Sequence, residues 1–176
     1  FDNHDYLNIP VSLFEQHLSP SQRRDYIDNH PISKPWLLGQ LRLRNRIVKA
    51  ATFESMCDKD GVPTDELIRF HVRMAEGGVG MTIVAYASVS RDGRSFPTQI
   101  CLDPENKTIF KRTIKMLEAL CRTVHDREAK VCIQLTHAGA FADPNFNHGL
   151  SAKGPAAIFN PLTLSFSEPI ADNEAV

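Results

Sequence analysis

Three short apolar runs, set apart by two stretches of helical periodicity, constrain this chain more than any other feature. The runs are Arg46-Ile47-Val48-Lys49-Ala50-Ala51-Thr52, Met81-Thr82-Ile83-Val84-Ala85-Tyr86-Ala87 and Val131-Cys132-Ile133-Gln134-Leu135. None alternates apolar with polar residues as a half-exposed strand would. Each reads as a strand covered on both faces, the habit of a parallel sheet. Lys49 fits that reading least well.

The intervening stretches read as helices. Thr64 stands at an N-cap position, followed by Asp65 and Glu66, whose charges favour the positive end of a helix dipole. Ile68, Val72 and Ala75 then recur on one face, and Gly77-Gly78 closes the helix with a left-handed cap. The second helix is expected to open at Asp103-Pro104-Glu105. Its stripe is Phe110, Ile114, Leu117, Cys121 and Val124, at steps of four and three.

The order strand, helix, strand, helix, strand is that of an α/β fold. Two architectures are compatible with it: an open doubly wound sheet and a closed (β/α)8 barrel. A dinucleotide-binding open sheet usually carries G-x-G-x-x-G after its first strand, and that position holds no such motif. Gly77-Gly78-Val79-Gly80 is glycine-rich but lies between a helix and the next strand, at the wrong end of the sheet for a phosphate site. Upstream, residues 1–35 are polar and punctuated by Pro10, Pro20, Pro31 and Pro35. They read as an N-terminal extension, with a short helix from Ser19-Pro20. Residues 36–44 read as a small hairpin turning at Gly39.

Composition narrows the function classes. Twenty basic and twenty-one acidic residues leave a formal charge of −1, unlike the one-sided balance of a nucleic-acid binder. No apolar run is long enough to span a membrane, and no secretory leader is visible at Phe1-Asp2-Asn3-His4. The cysteines at 57, 101, 121 and 132 make no zinc spacing. They read as free thiols in a reducing, cytoplasmic setting, and no metal site is expected.

In a barrel the chemistry gathers at the C-terminal strand ends. Gln134 is the unusual residue there. A primary amide within an apolar strand needs partners, whether from neighbouring backbone, from solvent, or from a ligand edge that presents a carbonyl beside an N–H. A flavin pyrimidine presents both. At the end of the first strand, Ala50-Ala51-Thr52 offers small side chains that let a flat ring approach the backbone. His137 is a candidate ligand or general acid. Glu54 reads as a loop charge with a structural partner, and His71 and His125 as outward-facing helix residues.

Taken together, five segments resemble the Old Yellow Enzyme family, in the right order over residues 36–140. Asn45-Arg46-Ile47-Val48-Lys49-Ala50-Ala51 is similar to its first strand, and Gly61-Val62-Pro63-Thr64-Asp65-Glu66 to the start of its first helix. Glu76-Gly77-Gly78-Val79-Gly80-Met81 is similar to the approach to its second strand. Val89-Ser90-Arg91-Asp92-Gly93-Arg94 resembles its "VSPxGR" loop, and Ile133-Gln134-Leu135-Thr136-His137-Ala138-Gly139 resembles its "LQLxHxGR" third strand. The resemblance implies a (β/α)8 barrel, here truncated to about its first three βα units over residues 36–176. It implies non-covalent FMN and NADH or NADPH as reductant. The implied acceptor is an electron-poor alkene such as an α,β-unsaturated carbonyl. By the same resemblance Gln134 contacts the flavin pyrimidine, while Ala50, Ala51, Thr52, Phe53 and Tyr86 lie along the ring.

Two positions depart from the pattern. The family's flavin-tuning Thr or Cys aligns with Phe53, with Thr52 one residue early, and the Arg of "HxGR" is Ala140. The family's substrate-binding His/Asn or His/His pair and its phosphate site belong to later strands, so the catalytic residues are expected beyond residue 176 and the fragment alone is expected to be inactive. The alternatives are a dienoyl-CoA-reductase-like or demethylating relative, and a non-catalytic half-barrel serving as an interaction module.

Overall fold

A computed structural model describes residues 19–171 of the chain. They fall into two compact units that divide between Ile47 and Val48.

In the first unit, α1 (Pro20–Asn29) begins where Ser19-Pro20 places it. The Ser19 hydroxyl accepts the Gln22 N–H at 3.3 Å, and the Gln22 side-chain Oε1 accepts the Ser19 N–H at 2.8 Å. This reciprocal capping box satisfies two donors that the helix itself leaves open. The rest of the expected extension, residues 1–18, lies outside the described residues. Strands β1 (Trp36–Leu38) and β2 (Leu41–Leu43) form the expected antiparallel hairpin. Gly39 turns it at φ +60°, the backbone a two-residue hairpin loop requires.

The second unit is the α/β assembly. Its elements are β3 (Val48–Lys49), α2 (Asp65–Glu76), β4 (Met81–Ser88), β5 (Ile100–Cys101), α3 (Lys107–His125) and β6 (Lys130–Thr136). All four strands run parallel, as the non-alternating apolar runs require. β4 is central. β6 lines one of its edges, while β3 pairs at Met81 and Thr82 and β5 at Ala87 and Ser88. Because one edge belongs to β6, β3 and β5 share the other. The sheet is therefore the parallel, helix-covered wall expected of a barrel. Among the described residues it does not close, and β3 and β6 each pair on one side only.

Three expectations shift in detail. The first strand was expected over 46–52, but only Val48 and Lys49 join the ladder. The chain leaves at Ala50 because β5 occupies the place beside the last residues of β4. The second helix starts at Lys107 beneath Asn106, whose side chain accepts the Ile109 N–H at 3.2 Å, and not at residues 103–105. The Asp103 carboxylate is spent elsewhere, on the Glu105 N–H at 3.1 Å and Arg91 Nε at 3.4 Å. Thr64 does sit at the N-cap of α2, yet its hydroxyl donates to the Met56 carbonyl at 2.7 Å and caps nothing.

Both helices lie on one face of the sheet. Leu67 and Ala75 of α2, Leu120 and Val124 of α3, and Val84 and Ala87 of β4 form the buried core, and Val131 and Ile133 of β6 pack against it. Each large apolar side chain so buried contributes about 1.5–3 kcal/mol. The buried line of α3 runs through Thr113, Leu120 and Val124, with Phe110, Ile114 and Cys121 on its flank, so the stripe is rotated slightly from the one the spacing predicts. After β6 the chain forms a single turn (Gly139–Phe141) and two small ladders. One pairs β7 (Lys153–Gly154) with β10 (Glu168–Pro169), and the other pairs β8 (Phe159–Asn160) with β9 (Ser165–Phe166).

Candidate active site

The helix-covered face of the sheet is filled by core, so the opposite face and the strand ends are what remain for chemistry. On β6, Val131 and Ile133 point into the core. Strand alternation then places Cys132 and Gln134 on the other face, where both are exposed. The Gln134 amide has no hydrogen-bond partner among the described residues. The solvent-or-ligand reading of this amide therefore holds against the core reading.

A β-bulge sets the position of Tyr86. Val84 pairs with Ile133 and Ala87 with Leu135, so three steps on β4 match two on β6. Val84 and Ala87 both belong to the core. In a regular strand Tyr86 would share the face of Val84 and Ala87 would point the other way, but the extra residue brings Ala87 to the core and turns Tyr86 away. Tyr86 instead meets Phe53, with ring centroids 5.3 Å apart, and its hydroxyl lies 3.1 Å from Ser95 Oγ. Gln134 stands across from this bulge, between Ile133 and Leu135.

Residues 50–53 form an irregular shelf immediately after β3. Ala50 and Thr52 are exposed, Ala51 and Phe53 half-buried. The Thr52 hydroxyl turns back towards the Ala50 carbonyl at 3.4 Å. Phe53 stacks on Phe96 at 4.9 Å and 25° as well as touching Tyr86. Thr52 is thus exposed with its hydroxyl directed at its own backbone, while Phe53 packs into an aromatic cluster with Tyr86 and Phe96. All six residues singled out by sequence, Ala50, Ala51, Thr52, Phe53, Tyr86 and Gln134, lie at the C-terminal ends of three adjacent parallel strands.

Beneath the shelf is a polar cluster. Glu54 is buried, its side chain 3% exposed. It binds the Lys49 ammonium directly, accepts the Ala85 N–H at 3.2 Å, and lies 3.4 Å from His71 Nε2. Burial alone would raise its pKa, but hydrogen bonds from His71 and Lys49 and their charges outweigh that and hold it below the ordinary carboxylate value. Lys49 also donates to the Ile83 carbonyl at 3.3 Å and lies over the Phe70 ring. His71 was expected to face outward. It is fully buried, because its Nδ1 lies 2.7 Å from the Thr82 hydroxyl on the core face of β4. His125 is exposed, as expected.

The loop after β4 holds the end of β6. His137 Nδ1 accepts the Gly139 N–H at 2.9 Å, leaving Nε2 to carry the proton and face Asp92 Oδ1 at 3.6 Å. The Ala138 N–H bonds the Gly93 carbonyl at 2.9 Å. His137 is therefore engaged as a brace between loops. Arg94 is fully buried and donates to the carbonyls of Lys59 and Pro97, and burial lowers its pKa. The Cys57 thiol is pushed up to about 12 by burial, with the Asp58 charge adding to it. Burial also raises Cys101. Burial thus disfavours the thiolate form of both, and all four cysteines are unbridged. Among the described residues no group of three or more His, Cys, Asp or Glu is placed to hold a metal ion, and no helix is long and apolar enough to cross a membrane.

A cavity of about 500 Å³ lies away from the shelf, lined by Arg91, Asp103, Glu105, Lys153 and Glu168 among others. Among the described residues no strand pairs with the far edge of β3 or of β6, so the shelf lies on a sheet that stays open. Sequence reasoning missed Phe96, the Lys49–Glu54–His71 cluster and the bulge. The one available signal was Lys49, a cation in an apolar strand with an acid five residues on.

Comparison with known proteins gives a consistent result. The model of the NADH:flavin oxidoreductase / NADH oxidase family matches residues 31–169. A 4,4'-dithiodibutanoate disulfide reductase of Rhodococcus erythropolis is 42% identical over 112 residues, 64% of this chain and 26% of the relative. An NADH:acrylate oxidoreductase of Vibrio harveyi is 34% identical over 121 residues, 67% of this chain and 11% of the relative. The old yellow enzyme homologue from Zymomonas mobilis superposes with a TM-score of 0.72 at 19% identity, covering 82% of this chain and 41% of that structure. The chain thus spans about a quarter or less of the length of these two relatives.

Proposed function

The chain belongs to the NADH:flavin oxidoreductase / NADH oxidase family, and from that premise we propose that it supplies the first three βα units of an FMN-dependent ene-reductase barrel. FMN, when bound, relays hydride from NADH or NADPH to the β-carbon of an electron-poor alkene such as an α,β-unsaturated carbonyl. The residues of this chain bind and orient. Ala50 and Ala51 leave room for a ring against the backbone of residues 50–53. Tyr86 and Phe53 wall one side. The Gln134 amide donates to and accepts from the ring's pyrimidine edge.

The observation that carries this reading is the Gln134 amide itself. It is exposed on the open face of β6, without a partner among the described residues, and it lies across the bulge from Tyr86. A donor and an acceptor presented together at a strand's C-terminal end match a ring edge with a carbonyl beside an N–H. The substrate-orienting groups and the proton donor are assigned to the later strands of the complete barrel, and the isolated segment is inactive on this reading. Four unbridged thiols fit a reducing, cytoplasmic setting.

A second acceptor is favoured by the Rhodococcus relative, whose name specifies a disulfide. An alkyl disulfide belongs beside acrylates and enones in the substrate panel.

The test uses the complete polypeptide that carries these residues. It should purify yellow or be reconstituted with FMN. Gln134→Leu removes about two ring-edge hydrogen bonds at about 0.5–1.5 kcal/mol each, so the Kd for FMN should rise roughly fivefold to 150-fold. Circular dichroism should stay unchanged. An unaltered Kd in that variant refutes the role given to Gln134.

A further inference from the structure

The cluster beneath the shelf has a geometry that its burial alone does not require. Lys49 and Glu54 flank residues 50–53 on either side, and their side chains join directly. The ion pair therefore closes a short loop around the segment. The same carboxylate reaches Ala85 N–H at the bulge of β4 and faces His71 Nε2 on α2, while the Lys49 ammonium reaches the Ile83 carbonyl. Four elements, β3, the shelf, β4 and α2, meet at one side chain.

The backbone just beyond supports the reading. Ser55 has φ +57°, a conformation uncommon for residues with a side chain. It persists because the chain must turn Glu54 inward and then leave at once. Ser55 Oγ lies 2.6 Å from Thr98 Oγ1, which anchors the turn on the far side. A salt bridge buried to this degree is weak evidence for added stability. Its distinctive effect is to fix the path of the four residues it encloses.

We infer that Glu54 is a positioning residue that, through Lys49 and the Ala85 N–H, holds residues 50–53 as a preformed backbone shelf for a planar cofactor ring. The inference rests on the flavin reading only for the identity of the ring. The shelf is ordered before anything binds, so the cofactor meets backbone already in place and loses less affinity to ordering it. Ala50, Ala51 and Thr52 need no large side chains for this, because the clasp beneath supplies the constraint that packing would otherwise supply.

Two variants of the complete polypeptide test it. Glu54→Gln keeps the shape but leaves the Lys49 charge uncompensated. The double substitution Lys49→Met with Glu54→Gln removes the ion pair without an orphan charge, and so preserves folding. The readouts are amide hydrogen exchange of residues 50–53 in the FMN-free protein and the Kd for FMN. Both variants should speed exchange in the segment at least tenfold, while the α3 core stays protected, and weaken FMN roughly tenfold. Exchange at the wild-type rate in the folded double variant overturns the clasp, and so does faster exchange with an unchanged Kd. A wild-type protein that fails to bind FMN overturns the flavin reading instead, and the exchange comparison still decides the clasp.

Discussion

Replacing Gly93 with alanine should loosen the end of β6 through His137, a residue 44 positions away in sequence. A Cβ at position 93 would lie 2.5 Å from His137 Cδ2, 2.8 Å from Cγ and 2.9 Å from Nε2. The ring has little freedom to retreat. Its Nδ1 holds the Gly139 N–H, its Nε2 faces Asp92, and the next residue is bonded to the Gly93 carbonyl. Overpacking of this kind costs about 1–3 kcal/mol, and losing the Nδ1 hydrogen bond adds about 1 kcal/mol. The expected loss is therefore about 2–4 kcal/mol. In the complete polypeptide, several times longer than this chain, the apparent Tm should fall by roughly 2–4 °C at a fixed scan rate. FMN should bind more weakly, since Gln134 lies three residues before His137.

A double-substitution cycle isolates the cause. If the damage is the clash, removing the ring first should make the alanine harmless. Gly93→Ala in a His137→Ala background should then cost little, giving a coupling of about 1–3 kcal/mol. Strictly additive effects would refute the reasoning, because they would place the cost of Gly93→Ala in the backbone and not against the imidazole.

Gly61→Ala should be damaging for a different reason. The residue has φ +83°, and an added Cβ would meet Cys101 Cβ at 2.6 Å and the Gln99 carbonyl at 2.8 Å. Left-handed strain and a backbone clash together predict a loss of about 3 kcal/mol. Gly39→Ala, at φ +60° with open space around it, should cost only about 1 kcal/mol, and equal losses at the two sites would contradict this account. Glu54 makes a pH prediction. Its folded-state pKa is depressed below its ordinary value of 4.5, so its stabilisation is complete above that pH and fades as pH falls through the folded value. The gap in Tm between wild type and Glu54→Gln should be widest near neutrality and close in acid. A gap that widens on acidification would reverse the assigned sign.

Parallel topology was legible because it follows from a property of each strand on its own. A strand covered on both faces has no polar side, and the runs at 81–87 and 131–135 show none. The Ser19-Pro20 helix start and the Gly39 hairpin were legible for the same reason, being local chemistry. The start of α3 was not. Asp103-Pro104-Glu105 carries the residues of a helix start, but Arg91, twelve positions upstream, takes the Asp103 carboxylate. Asn106 inherits the cap. His71 was misread because helical periodicity marks histidine as polar, whereas Thr82 on the facing strand gives it a buried partner. In each case the deciding group lies on another element.

The candidate site repeats the pattern and shows what local reading lacks. Gln134 could be placed by alternation from Ile133, since β6 is regular. Tyr86 could not. Counting by twos from Thr82 and Val84 puts Tyr86 in the core, against the helices. Its position on the shelf side depends on one extra residue between Val84 and Ala87, and no residue in Val84-Ala85-Tyr86-Ala87 announces a bulge. The reason for it lies in the paired strand and in the core. Ala87 must be buried beside Ile100 while Leu135 keeps its register on β6. A bulge is the local solution that satisfies both neighbours, and reversing the facing of one tyrosine is its consequence. The wall of Phe53, Tyr86 and Phe96 is therefore a product of sheet pairing, and deleting Ala85 should remove that wall while leaving Gln134 where it is.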